Sequence, residues 1–311
     1  MTDKNEIKSL FAKRIDKTNQ LAQQTNKTSV LVIQQFPIES DTNILLPKVR
    51  ESIANILCFV ELGDLSILKE IIEMSDGKVD SIVLDSDIKC SFSRDIIEYT
   101  SAKVQTSKLF YYSDNNTWAD SAIKFLLQIN EGLLDKKIFL SGNGLLHDNV
   151  KRKLEYYCPK LIDEEYTGNI DIIIGTSIKK ESIGEDKLSL VSNNTKIYDL
   201  GIGNFSKKFI SGARKKGASI YRIDIRAGIS SVVMNILETN YLISNVMGDA
   251  KIKGIEMVAG GILGKKGAIV LDDINEPSYV IGVADGKGNF INDLSNKDIN
   301  NIDFVERLIN K

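Results

Sequence analysis

The chain has 311 residues, enough for one large domain or two of ordinary size, and two is the expectation. With 42% hydrophobic residues, 26% charged residues and a net charge of −2, it reads as a globular protein with a real core. No basic stripe argues for nucleic acid, and none argues for a membrane surface. One histidine and three scattered cysteines, Cys58, Cys90 and Cys158, supply no zinc set, so no metal is expected. The cysteines read as small buried hydrophobes in a reducing compartment. No apolar run approaches the length of a membrane span and no signal-peptide core follows Met1, so the expected location is the cytoplasm.

Residues 2–25 have the spacing of a helix, with Ile7, Leu10, Phe11 and Ile15 near one face. A buried strand follows at Ser29–Gln34. The stretch IESDTNILLPKVRESIANIL then changes to helical spacing, with Val49, Ile53 and Ile56–Leu57 on one side and Pro47 near its start. Strands at Cys58–Glu61, Ser81–Asp85 and Leu109–Tyr112, with a helix at Ser66–Glu73, continue the alternation. Such alternation predicts a mostly parallel sheet with helices on both faces. A helix over Asp120–Ile129 leads to the most informative stretch, Lys136–Lys153.

There an apolar run, Ile138–Leu140, enters Gly142-x-Gly144, and a helical segment follows with Val150 and Leu154 on one face. Strand, glycine turn and helix start together form a cradle for a nucleotide pyrophosphate. Glycines let backbone come close, and the free N–H groups of a helix start meet the anion. Ser141, Gly142, Asn143, Gly144 and Leu145 are the candidate cofactor contacts. His147 stands where the fingerprint wants a small residue; it either touches a phosphate or ribose or is an exposed helix-start residue. Asp163 lies 21 residues past Gly142, where an acidic side chain would meet an adenosine ribose, or else in a charged surface turn. If it meets the ribose, NAD is favoured over NADP.

DIIIG runs into Thr176–Ser177, and KIYDL into Gly201-Ile202-Gly203. Both are buried strands whose ends carry small and polar residues, so these four, Thr176, Ser177, Gly201 and Gly203, join the candidate cofactor site. A helix at Ser206–Lys216, a strand at Ala218–Ile223 and a long helix from Arg226 through Tyr241 follow. From Lys253 the pattern becomes apolar runs broken by turn signals, which read as hairpins, with a short helix near 298–310.

These features in this order resemble the two-domain family of methylene-tetrahydrofolate dehydrogenases, with shikimate and amino-acid dehydrogenases as relatives. DTNILLPKVRESI resembles the first substrate-domain helix, SIVLDSDI the strand lining the pocket, and DNNTWADSAIKFL the helix joining the domains. RAGISSVVMNIL takes the place of the last turn and helix beside the nicotinamide. The resemblance implies a substrate domain at 1–118, a Rossmann-like dinucleotide-binding domain at 119–249, and a β-hairpin-rich extension at 250–311 without counterpart in the family.

The resemblance also puts Lys48 at the family's catalytic lysine, a proton-transfer group if a cleft lowers its pKa. Asp85 would orient it or hold a substrate hydroxyl. Asp114, Asn116 and Thr117 are candidates for substrate binding, or for a helix N-cap. Arg226 is a candidate anchor for a substrate carboxylate or a cofactor phosphate, or part of a structural pair. The implied function is an NAD(P)-dependent oxidoreductase acting on a small polar metabolite, in this family often a carboxylate, in an interdomain cleft. The alternative is a dehydrogenase-fold protein that has lost turnover and binds a nucleotide, a metabolite or a biosynthetic partner. Position 44 is Ile where the folate enzymes carry tyrosine, which speaks for the alternative, as do His147 and the added tail. Open-cleft proteins of this kind often pair, so a homodimer is a candidate assembly.

Overall fold

A computed structural model describes residues 4–36, 44–46, 48–158, 161–162, 166–177, 179–201, 203–224 and 226–310, with Ile44, Leu45, Leu62, Arg226 and Ala227 placed by their backbone only. The chain divides into two compact units, Met1–Val233 and Met234–Lys311.

The first unit opens with α1 (Lys4–Thr25), which buries Ile7, Phe11, Ile15, Thr18 and Ala22, a stripe at helical spacing. Next come β1 (Thr28–Gln35), β2 (Ile44–Leu45), β3 (Arg50–Glu51), β4 (Asn55–Leu62), α2 (Leu65–Ser75), β5 (Ser81–Asp85), α3 (Ser93–Lys103) and β6 (Lys108–Tyr112). The sheet runs β2-β4-β1-β5-β6, with β3 also on β4. Strands β4, β1, β5 and β6 are parallel, and β2 and β3 run antiparallel to β4. The runs Val30–Ile33 and Ile56–Val60 are continuously buried, the signature of parallel strands shielded on both faces. On one face Leu31, Ile33, Cys58, Val60, Ile82 and Leu84 pack against Phe11, Ile15, Leu68, Ile72 and Ile96.

The expected helix over 48–57 is replaced by a tight β turn. Ser52 closes it, donating its N–H to the Asn55 carbonyl at 2.8 Å while its hydroxyl accepts from the Asn55 N–H at 3.0 Å. Arg50 and Glu51 then pair with Leu57 and Ile56, and Ile53, counted on the apolar face of that helix, is 98% exposed. Pairing of β4 with β1 along its whole length outweighs the local helical spacing.

Helix α4 (Asp114–Asn130) leads to β7 (Ile138–Ser141), α5 (Leu145–Leu154), β8 (Leu161–Ile162) and β9 (Ile172–Gly175). A 3₁₀ helix, Glu185–Leu190, connects to β10 (Lys196–Asp199), then α6 (Lys207–Lys215), β11 (Ser219–Arg222) and α7 (Arg226–Tyr241). All five strands are parallel, in the order β11-β10-β9-β7-β8. Ala122, Ile123 and Leu126 of α4 pack with Val150 and Leu154 of α5 on one face. Leu190, Phe205, Phe209 and Ala213 cover the other.

Both sheets are doubly wound. In the first, β1 connects outward to β4 and β5 to β6 on the opposite side, so the winding reverses between β1 and β5. In the second it reverses between β7 and β9. Ligands of open α/β sheets bind outside the carboxyl ends of strands at such reversals.

The second unit contains β12 (Gly248–Ile252), β13 (Ile255–Ala259), β14 (Ile269–Leu271), β15 (Val280–Val283) and α8 (Asn296–Ile309). The pairs β12–β13 and β14–β15 are antiparallel as the hairpin reading expects, whereas β13 and β14 are parallel. Residues between β13 and β14 therefore cross over rather than turn back. Val305 of α8 packs on Met257, Ile269, Leu271 and Val283, and Ser295 and Asp298 cap the helix reciprocally. The fold is thus α/β with one mostly parallel and one fully parallel sheet and a β-rich C-terminal part. No helix among the described residues is long and apolar enough to cross a membrane.

Candidate functional site

At the reversal of the first sheet the structure gathers a buried ion cluster. Lys89, in the loop after β5, places Nζ 2.7 Å from Asp85 Oδ2 and 2.5 Å from Asp114 Oδ2. The three side chains are 9%, 0% and 8% exposed, in the order Lys89, Asp85, Asp114. Asp85 ends β5 and Asp114 begins α4, so the strand end, the loop and helix α4 each contribute one charge. Ser113 caps that helix, accepting from the Asn116 N–H at 3.3 Å.

Amide and main-chain groups hold the cluster. Gln34 Nε2 donates to Asp114 Oδ1 at 2.8 Å. Gln35 Nε2 donates to the Asp85 carbonyl at 2.7 Å, and the Asp87 N–H donates to Asp85 Oδ1 at 3.0 Å. Asp87 in turn accepts from the N–H and side-chain amide of Asn115 at 2.8 and 2.9 Å.

Burial pulls the Lys89 ammonium down, but the charges of Asp114 and Asp85 outweigh it and hold the pKa above the ordinary lysine value. Lys89 is therefore a firm cation and a hydrogen-bond donor. Burial pushes the Asp85 carboxyl up to about 6, with Lys89 opposing and Asp114 reinforcing. Burial likewise raises Glu61, at the end of β4, to about 7, and the negative charge of Asp114 adds to the effect. A lysine donor beside carboxyls that titrate near neutrality is equipped for proton transfer.

The reversal of the second sheet has a different character. Gly142, at φ +148°, comes so close to the β9 end that a Cβ there would lie 2.3 Å from Thr176 Oγ1 and 2.9 Å from Ser177 N. Gly144, at φ +86° and ψ −178°, precedes α5 with no side-chain cap and open space around it. Residues 142–145 are exposed. An uncapped helix start behind an open glycine turn leaves N–H groups and a positive dipole end for an anion.

Thr176 Oγ1 donates to the Ser141 carbonyl at 3.1 Å and lies 3.1 Å from His147 Nδ1. With the hydroxyl proton given to Ser141, the network assigns the Nδ1–H donor to His147. Burial holds the His147 pKa below its usual value, so the ring is neutral at pH 7. Gly201 packs on the Ser177 carbonyl, where a Cβ would lie at 2.8 Å. Asp199 shapes the following loop, accepting from Gly203 N–H at 3.1 Å and Asn204 Nδ2 at 2.7 Å.

The structure thus brings Asp85 and Asp114 together at one reversal, and Ser141, Gly142, Gly144, His147, Thr176 and Ser177 together at the other. Gly201 and Gly203 lie on the adjoining β10 loop. Asn143 and Leu145 are exposed on the glycine turn. Lys48 is exposed between β2 and β3 and not at a helix start. Asn116 is exposed in the first turn of α4, and the Thr117 hydroxyl is turned back onto the Ser113 carbonyl at 2.8 Å. Asp163 and the side chain of Arg226 lie outside the described residues. Lys89 and Glu61 were missed from sequence. The readable signal was D-x-D-x-K starting on the last residue of a buried strand, with an aspartate two residues past the end of the next strand. Among the described residues no cluster of His, Cys, Asp and Glu can hold a metal ion.

Helix α4 ties the two places together. Its first residue is Asp114, and its later turns pack in the core of the second sheet. Gly228 of α7 crosses it at backbone contact, where a Cβ would lie 3.0 Å from the Thr117 carbonyl.

No protein-family model matches the chain, and no curated protein matches it. Among solved structures it is similar to a shikimate dehydrogenase in complex with NADP+, at 14% identity, 68% coverage of this chain and 96% of that one, and a TM-score of 0.37. It is similar to glutamate dehydrogenase from Thermus thermophilus at 11% identity, 68% coverage of each chain and a TM-score of 0.36. Aspartate transcarbamoylase from Trypanosoma cruzi matches at 10% identity, 70% coverage of this chain and 93% of that one, with a TM-score of 0.36. Dehydrogenases and transcarbamoylases match alike, so these likenesses choose no reaction.

Proposed function

We propose that the chain is an NAD(P)-dependent oxidoreductase acting on a small polar metabolite. The observation that carries this reading is the buried Lys89, shared between Asp85 and Asp114 at one sheet reversal while a second sheet offers an uncapped glycine turn at its own. In this reading Gly142, Gly144 and the start of α5 receive the pyrophosphate of NAD or NADP, with Thr176 and Ser177 beside it. The fit rests on the open space at Gly144 and the backbone-close approach at Gly142. The nicotinamide, when bound, supplies the hydride chemistry. Lys89 keeps two N–H groups on Asp85 and Asp114, which hold its charge, and turns the third, 3.4 Å from the Gln35 carbonyl, to the reacting oxygen or nitrogen of the substrate. Asp85 and Glu61, titrating near neutrality, provide a place for the proton.

The test uses Trp118, the only tryptophan, one turn along α4 from Asp114. Titration with NADH and NADPH, followed by Trp118 fluorescence and energy transfer to the nicotinamide, should saturate with one of them. Gly144→Val should weaken that binding at least ~10-fold by filling the anion cradle. Absence of binding for both coenzymes at millimolar concentration removes the oxidoreductase reading.

A further inference from the structure

The carboxyl ends of the first sheet carry a row of polar side chains on one face. Register pairs Gln34 of β1 with Glu61 of β4, and Asp85 of β5 with Tyr112 of β6. Ile33 pairs with Leu84, so the next residues, Gln34 and Asp85, continue the same row. Partners in register on parallel strands point to the same side, so Glu61, Gln34, Asp85 and Tyr112 follow one another across four adjacent strands. Lys89 and Asp114 complete the row from the loop after β5 and the start of α4.

The charges in this row do not balance. Lys89 is the cation, and both Asp85 and Asp114 hold it. Gln34 directs its amide N–H to Asp114, away from Glu61. The charges that reach Glu61 from the described residues are Asp114 from α4, Lys89 from the loop and Asp85 from β5. Two are negative, and the one cation is bonded to both of those. Tyr112, buried and held neutral, adds no positive charge. A substrate carboxylate entering here would meet an excess of buried negative charge. A substrate ammonium would find in Glu61 a carboxyl that no cation of the described residues has taken.

We infer that Glu61 is the specificity-determining residue of this site, selecting a substrate that presents a protonated amine over one that presents a carboxylate. This rests on the oxidoreductase reading and replaces the expectation of a carboxylate-bearing metabolite. Attraction to a largely buried carboxylate gives an amine a charge-assisted hydrogen bond, whereas a second anion gains nothing there and loses its hydration.

A matched pair of probes tests it: aminocyclohexanol and hydroxycyclohexanecarboxylate, titrated into the full chain while the side-chain amide NMR signals of Gln34 and Gln35 are followed. In the wild type at about pH 8, where a carboxyl titrating near 7 is mostly ionised, the amine should bind at least ~10-fold tighter than the carboxylate. Glu61→Gln should abolish that preference. Lowering the wild type to about pH 6 should weaken the amine about 10-fold as Glu61 takes up its proton, and Glu61→Gln should show no such dependence. That pH signature is not expected of a residue that only supports the fold.

Equal binding of the two probes by the wild type overturns the inference, as does an unchanged amine affinity in Glu61→Gln. So does a failure of both probes to shift Gln34. If NADH still binds at the glycine turn, that failure concerns Glu61 alone. If NADH binding is lost as well, the oxidoreductase reading fails with it.

Discussion

The two sheet reversals share a topology and differ in nearly everything else. At the first, between β1 and β5, the strand ends are buried and charged: one lysine, two aspartates and a glutamate, packed among glutamine amides. At the second, between β7 and β9, the strand ends are glycine, serine and threonine, and the turn is exposed. Winding sets two strand ends side by side at both, and the side chains carried there give the two places their different character. The first is built to hold protons and charge. The second leaves glycine backbone and an uncapped helix start open to solvent. Helix α4 begins at one and packs behind the other, so both chemistries hang on one rigid element.

The largest effect should come from disturbing the charged reversal. Lys89→Met leaves Asp85 and Asp114 buried without their cation, and urea denaturation should show a loss of about 3–5 kcal/mol. Adding Asp85→Asn to that variant should restore part of it. A loss below ~1 kcal/mol would mean the cluster is far more hydrated than its burial implies.

The same reversal should respond to pH. Asp85 and Glu61 bind protons more tightly folded than unfolded, since burial raises their pKa values to about 6 and about 7. Their contribution to stability is complete below the unfolded values near 4 and is lost as pH rises through 6 to 7. Thermal melts should therefore show stability falling between about pH 4 and 7, with Glu61→Gln removing up to roughly 2–3 kcal/mol of that fall. A melt that rises through this window would contradict the burial account of Glu61.

At the second reversal the effects should be steric. Gly142→Ala drives a Cβ into Thr176 Oγ1, 2.3 Å away, and should cost about 1–3 kcal/mol. Gly144→Ala has open space, and only its backbone, φ +86° with ψ −178°, a region ordinarily left to glycine, resists; about 1–2 kcal/mol is expected, less than at Gly142, where the clash adds to a φ of +148°. Equal costs for the two would show that Thr176 gives way. The smallest effect should follow Arg222→Ala, whose side chain is 64% exposed and 3.6 Å from Asp199. Denaturation midpoints should place it within about 0.5 kcal/mol of wild type.

The open reversal was legible in the sequence because its determinants are local. A strand, two glycines and a helix start are contiguous from Ile138 to Leu154, and DIIIG announces the neighbouring strand end. The charged reversal was half legible. Asp85 and Asp114 stand at strand ends that the apolar runs mark. Lys89 could not be told from other lysines without knowing that the loop after β5 folds back over β1, which only the strand order reveals. Lys48 was favoured by a helix whose spacing was real but whose residues pair as strands instead. Local periodicity there competed with a β1–β4 ladder spanning Thr28–Gln35, and the ladder won. Glu61 ends an apolar run, where a charge reads as a strand terminator until its neighbours are known.

The account stands most directly on turnover. Wild type and Asp114→Asn would be compared with NAD, NADP and their reduced forms, by nicotinamide absorbance, across a panel of small amines, amino alcohols and amino ketones. The account predicts turnover by the wild type with at least one member. It predicts that Asp114→Asn binds coenzyme as the wild type does yet turns over at least ~100-fold more slowly, because Lys89 has lost one of the two carboxylates that hold and orient it. Equal rates in the two proteins would contradict it, and so would coenzyme binding without turnover of any member of the panel.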